Sequence, residues 1–398
     1  MNILQIGTTD KIGGAAVISW KIKKALELLG HKTSMFVAFK YSNDLNVLNI
    51  KRTTHKLLCF LFSNDIDLFR TNWIIKTKEF IDADIIHLHN LHGWFFNLKT
   101  IKEMSKLKPI IWTLHDMWAI TSHCAHSFEG GLENGFYQCQ SLNSYPRIAW
   151  HNEKYLCYRK KIIYDNSDFE IVVPSMWLKN KVENSLLKEK NIHLIYNGVD
   201  TKVFRSMDKQ TIRKDLNISL VKKIILCFSD KIKNNEYKGS EYINKILEKF
   251  RNNKSVHFIC IGGSANSDFE KNSNITYIPN ITDVNLLAKY YASSDIFLYP
   301  SIADSFGLVV AESMACGTPV LTFKVGGIPE IVDHKINGYV AKYKDEDDLI
   351  NGLNYILDLS NIETELMSES AISKIRNNFT EDMMIEKYIE LYNSLIKR

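Results

Sequence analysis

A chain of 398 residues is long enough for two or more domains, each with its own hydrophobic core. Its residues are 45% hydrophobic and 24% charged, as in ordinary globular proteins, and no apolar run is long enough to span a membrane. The net charge of +5 lies in the first half of the chain and forms no dense basic stripe, which argues against a nucleic-acid-binding protein.

The seven cysteines, at positions 59, 124, 139, 157, 227, 260 and 316, are odd in number and mostly scattered. This pattern predicts reduced thiols rather than a disulfide framework. The first seven residues are typical of a strand and lack the basic start and long apolar segment of a signal peptide. We therefore expect a cytoplasmic protein.

Short apolar runs alternate with segments of helical periodicity along the whole chain. Strands are predicted at 3–6, 33–38, 85–89, 110–114, 171–173 and 193–196, and then at 224–228, 256–261, 276–278, 296–299 and 320–323. Segments such as 17–29 and 237–250 repeat apolar residues at helical spacing. This alternation predicts an α/β protein with two parallel sheets, each covered by helices on both faces, and therefore two Rossmann-like domains. The Asn197-Gly198 turn marks the predicted boundary between them.

Two polar segments follow predicted strands of the first half. Gly13 and Gly14 lie between the first strand and the first helix, where glycines let backbone N–H groups approach a phosphate or a sugar. His115 and Asp116 end the strand at 110–114, and ligands of open α/β folds bind at the carboxyl ends of strands. His115 could therefore hydrogen-bond to a ligand. Alternatively, its ring could hydrogen-bond only to the neighbouring backbone.

Several patterns suggest a metal, and we assign none. His87 and His89 share one face of a strand, but a zinc site needs a third ligand that the sequence does not place. Asp82-Ala-Asp84 is interpreted as a helix-to-strand connection. Residues 121–146, with Cys124 and Cys139, are interpreted as a mobile aromatic loop over an acceptor pocket.

A membrane contact is one of two interpretations of the segment from Lys51 to Phe62. Basic residues up to Lys56 precede the apolar run Leu57-Leu-Cys-Phe60-Leu-Phe62. Such a segment can bind lipid headgroups, but a helix buried on its apolar side explains the pattern equally well.

The most informative segment is 300–330. Asp304 and Ser305 are predicted to cap a buried helix from about Gly307 to Cys316, which places Glu312 in apolar surroundings. A buried carboxylate needs a polar partner, and a ligand with hydroxyl groups could supply one. The start of the helix is a natural phosphate site.

This segment resembles the donor-nucleotide site of retaining GT-B glycosyltransferases of family 4. The matching residues are Asp304-x-Phe306-Gly307 and Glu312-Ser-Met-Ala-Cys-Gly317-Thr-Pro319-Val320. The resemblance covers nearly the whole chain. It implies a GT-B architecture, with two Rossmann-like domains whose parallel sheets face each other across a cleft. The domains would be an acceptor-binding domain at 1–197, a nucleotide-sugar-binding domain at 198–380, and a helix at 381–398 that returns to the first domain.

The resemblance also implies roles for individual residues. The catalytic residues would be His115, Asp304 and Lys238. Glu312 would bind the nucleotide ribose, and Asp304, where the family usually has Glu, would face the donor sugar. Lys238 and an upstream cation, for which the chain offers Lys231 or Lys233, would contact the pyrophosphate. The remaining donor-binding residues would be Gly13, Gly14, Ser305, Phe306, Gly307 and Leu308.

By this resemblance the protein transfers a hexosyl group from a nucleotide diphosphate sugar to an acceptor hydroxyl with retention and without a metal or other cofactor. We expect the acceptor to be a glycan or lipid-linked glycan of bacterial surface polysaccharide synthesis, reached by peripheral contact with the cytoplasmic face of the inner membrane. Two alternatives remain open: a GT-B sugar-nucleotide epimerase, and an inactive protein that only binds the nucleotide sugar.

Overall fold

The computed structural model describes residues 1–51, 56–228, 236–262 and 274–397. These form two compact units, one of residues 1–196 together with 384–398, and one of residues 197–383. The division along the chain falls at the Asn197-Gly198 turn, where Gly198 lies against the backbone of Thr380 and Glu381 so closely that a Cβ atom would clash with it.

The first unit is built on a parallel sheet. Its described strands pair in the order β3-β2-β1-β4-β5-β8-β9. The strands of this unit, including a two-stranded hairpin of β6 and β7, are β1 Asn2–Thr9, β2 Lys32–Phe39, β3 Val47–Asn49, β4 Ile85–Leu88, β5 Ile110–Thr113, β6 Leu132–Glu133, β7 Phe136–Tyr137, β8 Glu170–Val173 and β9 Ile192–Leu194. Its helices before the boundary are α1 Gly14–Leu28, α2 Lys56–Leu61, α3 Lys78–Ile81, α4 Lys99–Ser105, α5 Glu153–Asp165 and α6 Met176–Glu183.

The second unit has a parallel sheet of its own. Its described strands pair in the order β12-β11-β10-β13-β14-β15. They are β10 Lys223–Phe228, β11 Val256–Ile261, β12 Ile275–Ile278, β13 Ile296–Tyr299, β14 Val320–Phe323 and β15 Gly338–Ala341. The helices are α7 Lys209–Asp215, α8 Ser240–Lys249, α9 Val284–Ser293, α10 Leu308–Ala315, α11 Ile328–Ile331, α12 Glu346–Leu357, α13 Asn361–Asn378 and α14 Glu381–Ile396, of which α14 continues into the first unit.

In both sheets the order in which strands are added reverses beside the first strand of the unit. In the first unit β1 lies between β2 and β4, and in the second β10 lies between β11 and β13. Successive strands are therefore added to opposite sides, and the connections leave the carboxyl ends of β1 and β4, or of β10 and β13, in opposite directions. Such a switch point opens a crevice in which α/β proteins bind ligands.

The predicted strands are present, because fully buried parallel strands are continuous apolar runs. Four described strands were not predicted: the hairpin strands β6 and β7, and two strands of the parallel sheets. β3 is a three-residue edge strand, and β15 begins with Gly338 directly after Asn337, a pair that indicates a turn. Position 338 nevertheless requires glycine, since a Cβ atom there would lie 2.5 Å from the Val320 carbonyl oxygen of β14.

The prediction that all cysteines are reduced is wrong for one pair. Cys124 and Cys139 form a disulfide, with Cα atoms 5.8 Å apart, while the other five cysteines are free thiols. The hairpin of β6 and β7 reverses the chain between them, and strands of two residues are too short to show a strand pattern in the sequence. The segment 121–146 is thus a cross-linked hairpin region rather than a plain loop.

The C-terminal part of α14 packs within the first unit through two buried tyrosines. The Tyr392 hydroxyl lies 2.8 Å from His87 Nδ1, and the Tyr388 hydroxyl lies 3.0 Å from Thr113 Oγ1. The same threonine oxygen lies 2.8 Å from His87 Nε2, so both ring nitrogens of His87 are paired. Burial lowers the pKa of His87 to about 3, and the ring is neutral at pH 7.

Within the described residues, no helix is both long and apolar enough to cross a bilayer.

Replacing Tyr392 by phenylalanine should destabilise the first unit by about 1–3 kcal/mol, because a buried His87 nitrogen loses its partner. All seven tryptophans of the sequence precede the Asn197-Gly198 turn, so tryptophan fluorescence during urea unfolding reports on this unit. Tyr158→Phe, at a tyrosine that is 62% exposed, is the matched control. A change below about 0.5 kcal/mol for Tyr392→Phe, the range usual for surface substitutions, would contradict this role.

Candidate active site

In the second unit, Lys238 is held against the end of β13. Gly239 has φ +70°, and a Cβ atom there would lie 1.8 Å from the Pro300 carbonyl oxygen, so only glycine allows this approach. The Tyr237 carbonyl accepts hydrogen bonds from the Ser301 hydroxyl at 2.9 Å and from the Ile302 N–H at 2.8 Å. The chain before α8 is thereby fixed next to the segment that contains Asp304.

A buried tyrosine connects Lys238 to Asp304. Lys238 Nζ donates to the Tyr299 hydroxyl at 2.6 Å, and this hydroxyl donates to Asp304 Oδ2 at 2.8 Å. The ammonium nitrogen and the carboxylate oxygen are 3.8 Å apart. Burial, together with the charge of Asp304, raises the pKa of Tyr299 to about 12, so the hydroxyl keeps its proton and bridges a cation and an anion.

The helix that begins next to this bridge has no side-chain cap. α10 starts at Leu308, and its N-cap residue, Gly307, has no side chain that could accept a hydrogen bond from the first turn. The predicted caps, Asp304 and Ser305, are therefore wrong, because Asp304 Oδ1 instead accepts from the Phe306 N–H at 3.1 Å. An uncapped helix start presents N–H groups and the positive end of the helix dipole, which suit an anion.

Glu312 lies one turn along α10 and is only 7% exposed. Burial raises the pKa of both the Tyr291 hydroxyl and the Cys316 thiol, and the neighbouring Glu312 carboxylate raises each further. The carboxylate thus lies in the poorly hydrated surroundings that the sequence predicted. Ser305 and Phe306 are also buried, and the Phe306 ring packs on Phe379, so only the backbone of Phe306 is suited to contact a ligand.

In the first unit, a pocket of about 250 Å³ lies at the switch point of the sheet. We call it the glycine-loop pocket. It is lined by the loop after β1, including Gly13 and Gly14, by residues after β4, including His89 and His92, and by Tyr145. Gly13 precedes α1 with φ +96°, and no side chain caps this helix start either.

His115 is the outer member of a chain of buried side chains beside this pocket. His115 Nε2 lies 3.0 Å from His89 Nδ1, and His89 Nε2 lies 2.9 Å from Oε1, the side-chain amide oxygen of Gln5. Because that oxygen only accepts, His89 carries its proton on Nε2, His115 must donate from its own Nε2, and its Nδ1 is an acceptor. Burial lowers the pKa of His115 to about 4 and holds that of His89 well below its usual range, so both rings are neutral at pH 7.

Asp116 connects the loops after β4 and β5 by hydrogen bonds. Its Oδ2 accepts from Asn90 Nδ2 at 3.0 Å and pairs with His92 Nε2 at 2.8 Å, and its Oδ1 accepts from the Trp118 N–H at 2.9 Å. Burial raises the pKa of Asp116, but His92 and these hydrogen bonds lower it more, so the carboxylate stays charged. Asp116 therefore fixes the loops after β4 and β5 relative to each other.

Lys233 and Lys231 lie outside the described residues, so the second cation predicted for the pyrophosphate has no assigned place. Among the residues with described structure, no group of three or more His, Cys, Asp and Glu side chains is arranged to hold a metal ion.

Two sequence models of glycosyltransferases match the two units. Residues 12–203 match the model described as Glycosyltransferase Family 4, and residues 222–358 match the one described as Glycosyl transferases group 1. The chain belongs to the family 4 glycosyltransferases. The segments that hold Gly13, Gly14 and His115 lie in the first match, and those that hold Lys238, Asp304 and Glu312 lie in the second.

Relatives of this glycosyltransferase span its full length. It is 25% identical to N-acetyl-alpha-D-glucosaminyl L-malate synthase of Bacillus anthracis, over 99% of this chain and 98% of the relative. It is 25% identical to an uncharacterized 41.2 kDa protein in the cps region of Klebsiella pneumoniae, over 99% and 100%. It is 23% identical to the putative colanic acid biosynthesis glycosyl transferase WcaC of Escherichia coli, over 84% and 81%.

Solved structures confirm the predicted GT-B fold. Sucrose-phosphate synthase from Thermosynechococcus elongatus matches with a TM-score of 0.73 at 17% identity, over 99% of both chains. Anabaena HepE in complex with UDP matches with a TM-score of 0.69 at 16% identity, over 99% of this chain and all of that chain. At this level of identity the likeness concerns the fold alone.

Sequence reasoning missed the residues that connect the predicted ones. Tyr299 ends a buried strand and was counted only as a core residue. Its position directly before Pro300 and four residues after Asp295 gives no signal, because its partner Lys238 is 61 residues away in the chain. Asp116 was placed at a strand end without a specific role, and Gln5 was not considered, although it is the one polar residue in the run from Ile3 to Ile6.

The neutral histidines predict that the first unit is acid-labile. Unfolded histidine binds a proton below about pH 6.5, whereas folded His87 and His115 do so only near pH 3–4, so the unfolded state binds more protons between these values. The contribution of these two histidines to the free energy of unfolding should be constant above pH 7 and fall as the pH is lowered from 6.5 to 5, by up to about 1.4 kcal/mol per pH unit and histidine.

Urea unfolding followed by tryptophan fluorescence at pH 7.5, 6.5, 5.5 and 5.0 measures this. His115→Gln should reduce the slope below pH 6.5 by about one proton, whereas His151→Gln, at a side chain that is 83% exposed, should not. A flat profile, or a slope that His115→Gln leaves unchanged, would rule out the buried neutral chain.

Proposed function

We propose that the enzyme transfers a hexosyl group from a nucleotide diphosphate sugar to an acceptor hydroxyl with retention at the anomeric carbon. The observation that carries this proposal is the arrangement in the second unit. Lys238 lies bridged through Tyr299 to Asp304, beside the uncapped start of α10, and the buried carboxylate of Glu312 follows one turn later. A cation, a helix start and a carboxylate in this order suit the diphosphate and the ribose hydroxyls of one nucleotide.

The main requirement of the reaction is to stabilise negative charge on the departing diphosphate. The bond between the anomeric carbon and the diphosphate oxygen breaks, and its electron pair stays on that oxygen. Lys238 and the N–H groups at the start of α10 would stabilise this charge. The acceptor oxygen forms the new bond on the same face of the sugar and passes its proton to the departing phosphate, so no side-chain nucleophile is needed.

In this proposal Lys238 exchanges its hydrogen bond to Tyr299 for the diphosphate when the donor binds. Without donor, the ammonium shares the charge of Asp304 through the Tyr299 hydroxyl. A bound diphosphate offers Lys238 a stronger partner, and Tyr299 keeps Asp304 oriented toward the sugar. The positive charge comes from protein groups, and we expect transfer to continue in EDTA.

The first unit would orient the transferred sugar and bind the acceptor. His115 is neutral with an accepting Nδ1, so it could receive a hydrogen bond from a sugar hydroxyl without adding charge. Backbone groups of Gly13 and Gly14 at the glycine-loop pocket are suited to a sugar or an acceptor hydroxyl.

We propose a lipid-linked glycan of surface polysaccharide synthesis as the acceptor. Two relatives support it, one named for colanic acid biosynthesis and one for its place in the cps region. The first unit also exposes a group of large apolar side chains around α2, namely Leu57, Phe60, Leu61, Phe62 and Trp150, which could contact lipid at the cytoplasmic face of the membrane. The neighbouring segment 52–55, which includes Arg52, lies outside the described residues.

Calorimetric titration with UDP, GDP, CDP and TDP tests the nucleotide site. One nucleoside diphosphate should bind saturably, and Glu312→Ala should weaken it at least about tenfold, because the ribose hydroxyls lose their acceptor (about 1.4 kcal/mol). Glu365→Ala, at an exposed glutamate of α13 in the same unit, should not change the affinity. No binding to any of the four, or equal effects of the two substitutions, would reject the assignment.

Tyr299→Phe tests the bridge. Without the hydroxyl, Lys238 and Asp304 are expected to pair directly, and donor binding must then break an ion pair. We expect affinity for the nucleoside diphosphate to fall about 10- to 100-fold, as for a lost hydrogen bond to a charged group, while affinity for the nucleoside is unchanged. Tyr290→Phe, in the neighbouring helix α9, is the control. Equal losses for nucleoside and diphosphate would show that Tyr299 is only structural.

A further inference from the structure

The first unit contains a second cavity, of about 200 Å³, which we call the Trp94 cavity. Asp65, Trp94, Arg147 and Phe60 contribute to its lining. Phe60 is 52% exposed and Arg147 is exposed as well, so the cavity opens to the surface between them. Since a liquid water occupies about 30 Å³, the space exceeds what a single buried water needs and suits one sugar ring.

Asp65 is a buried carboxyl group whose two oxygens accept no hydrogen bond of normal geometry from the described residues. The residue is 3% exposed, and burial raises the pKa of its carboxyl group. The charge of Lys160 and the nearby Trp118 indole N–H, which also lacks a hydrogen bond of normal geometry, offset this rise only in part. The buried Lys160 donates instead to the carbonyl oxygens of Trp118 and Thr121, at 2.6 and 3.0 Å. Buried acceptors are almost always satisfied, so a group from outside the chain is the expected partner of Asp65.

Trp94 is held in a strained backbone conformation. Its φ is +60°, a left-handed value that is rare for a large aromatic residue and costs of order 1–3 kcal/mol. Its ring packs edge-on against Tyr145, with centroids 6.0 Å apart. Such strain persists where the surrounding structure imposes it, and it is concentrated at ligand-binding positions. Here it presents a broad apolar ring to the same cavity as Asp65.

Arg147 supplies positive charge at the mouth of the cavity. Its guanidinium lies over the Phe60 ring, 6.0 Å from the centroid, and it forms no ion pair with a described carboxylate. A planar guanidinium that is placed on an aromatic ring and keeps its donors available is well suited to a phosphate group.

We propose that the Trp94 cavity binds a sugar residue of the acceptor, with hydroxyls on Asp65, the apolar face of the ring on Trp94, and an adjacent phosphate on Arg147. This inference rests on the proposed glycosyl transfer and specifies where its acceptor is recognised. Tyr145 lines the glycine-loop pocket and also contacts Trp94, so the two spaces share a wall. An acceptor that occupies both would extend beyond the sugar whose hydroxyl reacts.

Ligand-observed NMR with glucose 1-phosphate and N-acetylglucosamine 1-phosphate tests this proposal. The full chain carrying Lys238→Ala is used, so that the phosphate is not held at the proposed donor site. At least one of the two should bind saturably. Asp65→Asn and Trp94→Gly should each weaken binding at least about tenfold. With Arg147 present, glucose 1-phosphate should bind more tightly than free glucose, and Arg147→Gln should remove this difference. Tyr155→Ala, at an exposed aromatic residue of the same unit outside the cavity, should have no effect.

The melting temperature of each variant separates binding from folding. Asp65→Asn removes a charge that faces Lys160 and could destabilise the unit for that reason. Trp94→Gly then decides, because glycine adopts a φ of +60° without strain. Absence of binding, or binding that neither substitution weakens, overturns the inference. If UDP binds as proposed but the cavity variants have no effect, the inference fails and the proposed function stands; if only the sugar phosphates bind, and through Asp65, the donor assignment fails instead.

Discussion

The constraint on which both units depend is the reversal of strand order in a parallel sheet. Beside β1 and beside β10, successive connections leave in opposite directions, an arrangement that opens a crevice at the strand ends between them. Polar side chains can remain there only if they pair with each other or with a ligand, because the strands below are fully buried. The chain places its chemically active groups at these points: the glycine loop, His89 and His92 after β1 and β4, and Lys238 and Asp304 after β10 and β13.

The two units meet this constraint in different ways. The second unit keeps charges and balances them, with a cation and an anion joined by the Tyr299 hydroxyl, so that an incoming diphosphate exchanges one anionic partner for another. The first unit keeps most of its groups neutral. Burial lowers the pKa values of three neighbouring histidines, His87, His89 and His115. Hydroxyl, amide and imidazole groups pair with both ring nitrogens of His87 and His89. A neutral, hydrogen-bonded surface suits hydroxylated sugars, whereas a charged one suits the nucleotide diphosphate, and the difference agrees with the roles proposed for the two units.

The sequence predicted most of the fold because its signals are local. Buried parallel strands such as Val256–Ile261 and Ile296–Tyr299 are continuous apolar runs, and their bounds were found to the residue. The elements that were missed depend on distant partners. The edge strand Gly338–Ala341 needs a glycine because of β14, and the Cys124–Cys139 pair depends on a hairpin of two-residue strands. In the site, the motif residues Asp304 and Glu312 were recognisable, but Tyr299, Asp65 and Trp94 were not, since their meaning comes from a neighbour or a backbone angle that a sequence pattern does not contain.

Asp65 and Trp94 also suggest where specificity evolved in this glycosyltransferase. A buried carboxyl group without a hydrogen bond of normal geometry and a left-handed tryptophan both lower stability, and a fold tolerates such costs where they serve binding. At the proposed donor site of the second unit, by contrast, Lys238 and Asp304 are joined through Tyr299, and the left-handed backbone positions are Gly239 and Gly307. Asp65 and Trp94 lie in the first unit, to which we assign acceptor binding in the proposal above. Changing acceptor preference would therefore require substitutions around the Trp94 cavity, and many of these should stabilise the protein while they reduce its activity.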